Sequence, residues 1–159
     1  MYNKRVKQTQ RTMGTRGRIG IQLSDDSILS CYHNWDSYPE WLGRILNTHY
    51  NTKDKVEELI DGGDMSTCWS KDRWTGKQLA PHVTEIKEQA EYGPQHYSQR
   101  GEDCPPRLDK DLCEYLLPDG SEEFAYVFRN DKWVCYDMHC FDNRKLPEVV
   151  PIPEGALMD

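Results

Sequence analysis

Cysteine and histidine are the side chains with which this chain could do most chemistry, and their spacing limits what that chemistry is. Cys31 and His33 stand two apart, and Cys135, His139 and Cys140 lie close together near the end. The six cysteines, at 31, 68, 104, 113, 135 and 140, include no C-x-x-C pair of the kind that holds a structural zinc. No metal is therefore expected, and the thiols are expected to be free. On a strand, residues two apart share a face without the short approach that a nucleophile and its base require, so Cys31 is expected in the core. Asp25, Asp26 and Asp36 could hold a hard cation, but a turn and a helix start account for them without one. Gly14, Gly17 and Gly20 precede a strand instead of joining strand to helix, which rules out a phosphate-binding glycine loop. No catalytic residue and no cofactor is assigned, and the pattern favours a protein that is not an enzyme.

The best candidate for a site is a surface built from His33, Asn34, Trp35, Asp36, Ser37 and Tyr38. These side chains combine planar apolar area with hydrogen-bonding groups, at a place where a helix start leaves backbone N–H groups unpaired. Arg16 and Arg18, one strand away, could add positive charge for a phosphate or carboxylate. Trp69 and Trp74, in an irregular stretch from Asp64 to Pro81, could supply further aromatic anchors. A protein partner and a nucleotide are both candidate ligands for such a surface.

The elements that position it follow from periodicity. Ile19, Ile21 and Leu23 alternate, as do Leu29, Cys31 and His33, on either side of an Asp25-Asp26 turn, which predicts a hairpin over 18–34. Ser37 is expected to cap the following helix, with Pro39 in its first turn and Glu40 closing a capping box. That helix, over 38–50, should bury Trp41, Leu42, Ile45, Leu46 and Tyr50. Asn51 or Thr52 can cap a second helix bearing Val56, Leu59 and Ile60 and ended by Gly62-Gly63. A weak helix is predicted over 84–91, a long connector over 93–107, and a helical turn or two within 109–117. Residues 123–137 form the clearest hairpin, turning at Asn130-Asp131. The predicted fold class is α+β: a predominantly antiparallel sheet with two hairpins, two main helices and long irregular connectors, its final segment running extended from Leu146.

Charge adds an asymmetry. The 159 residues carry 27 acidic and 20 basic side chains, yet Lys4, Arg5, Lys7, Arg11, Arg16 and Arg18 all fall in the first 18 positions, which hold no acid. Residues 1–12 are expected to be a flexible basic arm and 13–159 a single domain of strongly acidic balance, which disfavours direct nucleic-acid binding. The charged start leads into no apolar run and no stretch suits a membrane span, so a soluble, cytoplasmic protein is expected. The sequence leaves oligomeric state open.

MGTRGRIGI and YHNWDSYPEWLGRIL resemble segments of small, largely uncharacterised bacteriophage proteins, which open with Met-Gly-Thr-Arg-Gly and later carry a Trp or Phe-Asp-Gly or Ser-Tyr-Pro stretch. Here these are Met13 to Gly17 and Trp35 to Pro39, and the likeness covers about 13–65. The resemblance implies a phage origin and location in the host cytoplasm. It makes a host-directed protein-binding factor, such as an inhibitor of a defence or nucleic-acid-processing protein, the leading expectation. A nucleotide-binding protein or small enzyme at the strand-helix joint, and a phage structural or assembly component, are the alternatives.

Overall fold

The computed structural model describes residues 15–68, 94–117, 122–139 and 147–155. The basic arm, the predicted 84–91 helix, Trp69, Trp74 and Cys140 lie outside the described residues. Both predicted hairpins form, as β1 (Gly17–Gln22) with β2 (Ile28–His33), and as β6 (Phe124–Arg129) with β7 (Lys132–Asp137). The first turns through Asp26 at φ 69°, with Asp25 accepting from the Ser27 N–H. The second uses Asn130 and Asp131, both at positive φ, the geometry that matches the right-handed twist of the flanking strands.

Among the described residues four short strands extend the sheet: β3 (Met65–Thr67), β4 (Gln95–His96), β5 (Arg107–Asp109) and β8 (Glu148–Val150). The order is β4-β3-β2-β1-β6-β7-β8, with β5 beside the start of β2 and β3 beside its end. The connector expected over 93–107 thus contributes two strands and a 3₁₀ turn (Tyr97–Arg100), and the proline-rich end pairs with β7. Among the described residues, five of the seven strand pairings are antiparallel. The joint between the hairpins is parallel, β1 on β6, with Gly17 opposite both Phe124 and His33.

A π-helical turn (Pro39–Gly43) runs directly into α1 (Arg44–His49), and α2 (Lys53–Asp61) follows. Thr52 caps α2 by accepting from the Lys55 N–H at 3.4 Å. Leu42, Ile45, Leu46, Val56, Leu59 and Ile60 bury their side chains against Ile19, Ile21, Cys31, Tyr126 and Phe128 on one sheet face. Each such aliphatic side chain taken fully from water contributes roughly 1.5–3 kcal/mol. The opposite face is covered by Tyr115 of α3 (Leu112–Tyr115) and by Leu116, packed on Ile28, Ala125, Val127 and Tyr136. The capping box is not formed: Tyr38 occupies the cap position without a side-chain bond, and the Ser37 hydroxyl is turned inward. Among the described residues no helix is long and apolar enough to cross a membrane.

Gly17 holds the joint tight. A Cβ there would stand 2.8 Å from the Phe124 carbonyl oxygen and 2.8 Å from Ser37 Cβ, and neither neighbour is the free end of a flexible side chain. Gly17→Ala is expected to cost about 1–3 kcal/mol by overpacking. A wild-type urea midpoint for this variant would show that β1, β6 and the joint are not in close contact.

Candidate functional site

The sequence-predicted residues divide between two sheet faces and the surface. Strand alternation puts Arg16 and Arg18 on the face opposite His33. Arg18 is buried, donating from Nε to Ser30 Oγ at 2.9 Å and from Nη2 to the Ser30 carbonyl at 3.3 Å. The half-buried Arg16 lies near Tyr32, whose phenol is nonetheless pushed up to about 12 by burial. A phosphate pocket framed jointly by Arg16, Arg18 and His33 is therefore excluded, because the sheet stands between the arginines and the histidine.

His33 is fully buried and belongs to a hydrogen-bonded knot. Its Nε2 accepts from the Cys68 backbone N–H at 3.1 Å, which leaves the proton on Nδ1 to be donated to Ser37 Oγ at 2.8 Å. The Ser37 hydroxyl donates in turn to the His33 carbonyl at 3.2 Å, and the Tyr126 hydroxyl donates to the Ser37 carbonyl at 2.7 Å. Burial holds the His33 pKa down at about 3, so the ring is neutral. His33 and Ser37 are thus fasteners joining β2, β3, β6 and the helix start, and the surface reading of His33 is corrected. Cys31 is buried too, and desolvation raises its thiol to about 12, as expected of a core residue and not a nucleophile.

Asn34, Trp35, Asp36 and Tyr38 remain outside this knot. The Asn34 and Trp35 N–H groups donate to the Met65 and Ser66 carbonyls, and Asn34 Oδ1 accepts from the Tyr32 hydroxyl at 2.8 Å. Fixed by that backbone pairing, the Trp35 side chain is 44 % exposed. Asp36 takes a left-handed conformation at φ 59°, after which the Ser37 N–H donates to the Thr15 carbonyl at 2.8 Å.

Asp36 and Tyr38 line an open cleft of about 670 Å³ with Thr15, Glu123, Phe124, Asp137 and His139. Its second wall comes from the 123–139 hairpin, brought across by the parallel β1–β6 pairing. Sequence reasoning missed that contribution: His139 was weighed only with the cysteines around it, whereas the informative pattern is Asp137-x-His139. His139 Nδ1 stands 2.5 Å from Asp137 Oδ1, its Nε2 stands 3.0 Å from Glu123 Oε1, and its ring meets Phe124 edge-on at 5.3 Å. Burial pushes the Asp36 carboxyl up, and Tyr38 is pushed up by burial and then by Asp36 and Glu40.

Among the described residues, neither lysine nor arginine lines this cleft. Both nitrogens of His139 are engaged by carboxylates, so the ring offers no free nitrogen to a substrate. The cleft is lined by Asp36 together with Phe124 and Tyr38, and by Asp137 and Glu123, of which Asp137 Oδ1 and Glu123 Oε1 are bonded to His139 and Glu123 Oε2 accepts from the Arg16 N–H at 3.4 Å. That chemistry suits a cation with an apolar stem, the form of an arginine or lysine side chain. No cluster of three potential metal ligands occurs among the described residues. Compared with protein-family models, with curated proteins and with solved structures, the chain matches none.

Proposed function

We propose that this protein is a host-directed binding factor that engages a basic surface of another protein through the cleft at the strand-helix joint. One observation carries the reading: Asp36, Glu123 and Asp137 share a cleft with Tyr38 and Phe124, and against these three carboxylates its described lining residues set a single basic side chain, His139, which bonds Asp137 and Glu123. Trp35, exposed one residue before Asp36, supplies an aromatic anchor of the type that dominates interface energy. The acidic balance of the chain after residue 18 would speed encounter with a basic partner. The resemblance to bacteriophage proteins supports a host protein as that partner, and a nucleic-acid-processing protein has a surface of the required sign. A nucleotide is less well suited to the cleft, since its phosphates would face carboxylates.

The test is recovery of partners from infected host cells with the full chain as bait, beside the Glu123→Gln/Asp137→Asn double variant. A purified protein that binds the parent chain in a salt-sensitive manner and the double variant at least tenfold more weakly is expected, since several charge-assisted contacts are removed together. Recovery of a nucleotide in place of a protein, or equal binding by both baits, would overturn the proposal.

A further inference from the structure

Arg16 and Arg18 take no part in the cleft, whose lining includes neither. Strand alternation sets both on the sheet face away from His33, where they form a pair of their own. Arg18 is only 8 % exposed, yet everything it bonds is neutral: its Nε and Nη2 donate to the hydroxyl and the carbonyl of Ser30. No carboxylate among the described residues pairs with it. The buried Asp109 is taken by Arg107 at 3.0 Å, and Asp64 Oδ1 accepts from the Tyr32 N–H. Burial at His33 is relieved by keeping the ring neutral, but a guanidinium does not give up its proton in a protein. The fold therefore holds a desolvated cation with no counter-charge, an arrangement that is costly until an anion completes it.

We infer that Arg18 and Arg16 form a binding site for a phosphate monoester, on the sheet face opposite the one that packs α1 and α2. Two positions apart on an extended chain, the arginines stand roughly 6–7 Å from one another along the same face. Ser30 fixes the Arg18 fork by two bonds and leaves its remaining N–H groups uncommitted. The backbone of Arg16 is held on both sides by Glu123, its N–H donating to Oε2 at 3.4 Å and its carbonyl accepting from the Glu123 N–H at 2.8 Å. Its guanidinium makes no bond within the described residues, and the half-buried Tyr32 lies beside it. A dianionic phosphate suits this pair better than a single carboxylate does, because it carries two charges and enough oxygens for both forks. The chain's net charge of -7 repels anions at long range, so recognition depends on these two groups at contact distance. A nucleoside monophosphate and a phosphorylated side chain both present that chemistry.

The probes are inorganic phosphate, adenosine monophosphate and O-phosphoserine, each titrated into the full chain at constant ionic strength while thermal unfolding is followed. A ligand that binds only the folded chain raises the transition as its concentration passes Kd, so the parent's transition should rise with low-millimolar phosphate and not with chloride. Arg16→Gln should need about tenfold more phosphate for the same rise, through loss of a charge-assisted contact. Arg18→Met should unfold in chloride no earlier than the parent, since an apolar side chain replaces an uncompensated charge, and it should ignore phosphate. Should that variant not fold, Arg16→Gln decides by itself. A parent transition that responds to phosphate no more than to chloride, or equal responses in the parent and Arg16→Gln, would overturn the site. A larger rise with adenosine monophosphate than with O-phosphoserine at equal concentration would assign the site to a nucleotide, and the reverse order would assign it to a phosphorylated side chain.

Discussion

Acidification from pH 7 to pH 5 is expected to weaken the fold steeply through His33 alone. The folded chain holds this imidazole neutral, with its pKa lowered to about 3 by complete burial, whereas the unfolded chain binds a proton near pH 6.5. The stability contributed by the neutral ring is therefore fully present above pH 6.5 and is lost as pH falls toward 3. Within that window the slope approaches about 1.4 kcal/mol per pH unit for one proton. Asp36 works in the opposite direction, because its carboxyl is pushed up and its protonation in the folded chain offsets part of the loss at lower pH. The comparison is best made between pH 7.5 and pH 5 by urea unfolding of the parent chain and His33→Gln. The variant should lose about 1–3 kcal/mol at pH 7.5, through a disturbed buried bond to Ser37 or Cys68, and its stability should fall less with pH than the parent's. Parallel pH dependences would show that His33 accepts a proton without unfolding, contrary to the knot described above.

Gly63→Ala should be still more damaging at neutral pH. Gly63 has φ +84°, a conformation costly to a residue with a Cβ, and the added carbon would stand 2.2 Å from the Cys104 carbonyl oxygen. That carbonyl already accepts from the Asp64 N–H at 2.9 Å, and the Asp64 side chain accepts from the Tyr32 N–H at 2.8 Å, so moving the loop aside breaks the first bond and disturbs the residue that makes the second. Strain and overpacking together put the loss at about 3 kcal/mol or more, a large share of the 5–15 kcal/mol that stabilises a typical domain. Differential scanning calorimetry of the variant should show a transition many degrees lower. An unchanged transition would mean that the connector does not rest on Gly63.

The parts of this fold legible in the sequence are those set by local periodicity. Alternation at Ile19, Ile21, Leu29 and Cys31 gave one face of the first hairpin, and Val56, Leu59 and Ile60 gave the buried stripe of α2. Asn130-Asp131 marked its own turn because those residue types tolerate positive φ. Strands of two or three residues, such as β4 and β8, carry no period long enough to detect. Ser37 followed three residues later by Glu40 has the form of a capping box, but a buried histidine four residues earlier offered its hydroxyl a better-desolvated partner. Half of the candidate site escaped for a related reason. Glu123, Phe124, Asp137 and His139 reach Asp36 and Tyr38 only through the parallel pairing of β1 with β6, a contact between segments more than a hundred residues apart that no local pattern specifies.

The central claim is that an acidic, aromatic cleft beside Trp35 binds a basic protein surface, and alanine substitution at the aromatic residues tests it most directly. With the partner in hand, its affinity and association rate should be measured at two salt concentrations for folded Trp35→Ala, Tyr38→Ala, Trp69→Ala, Trp74→Ala and Asp137→Asn. At least one aromatic substitution, with Tyr38→Ala foremost, should cost about 2 kcal/mol, near a thirtyfold loss, while Asp137→Asn should mainly slow association at low salt. Equal affinity across all five variants, with association indifferent to salt, would contradict the account.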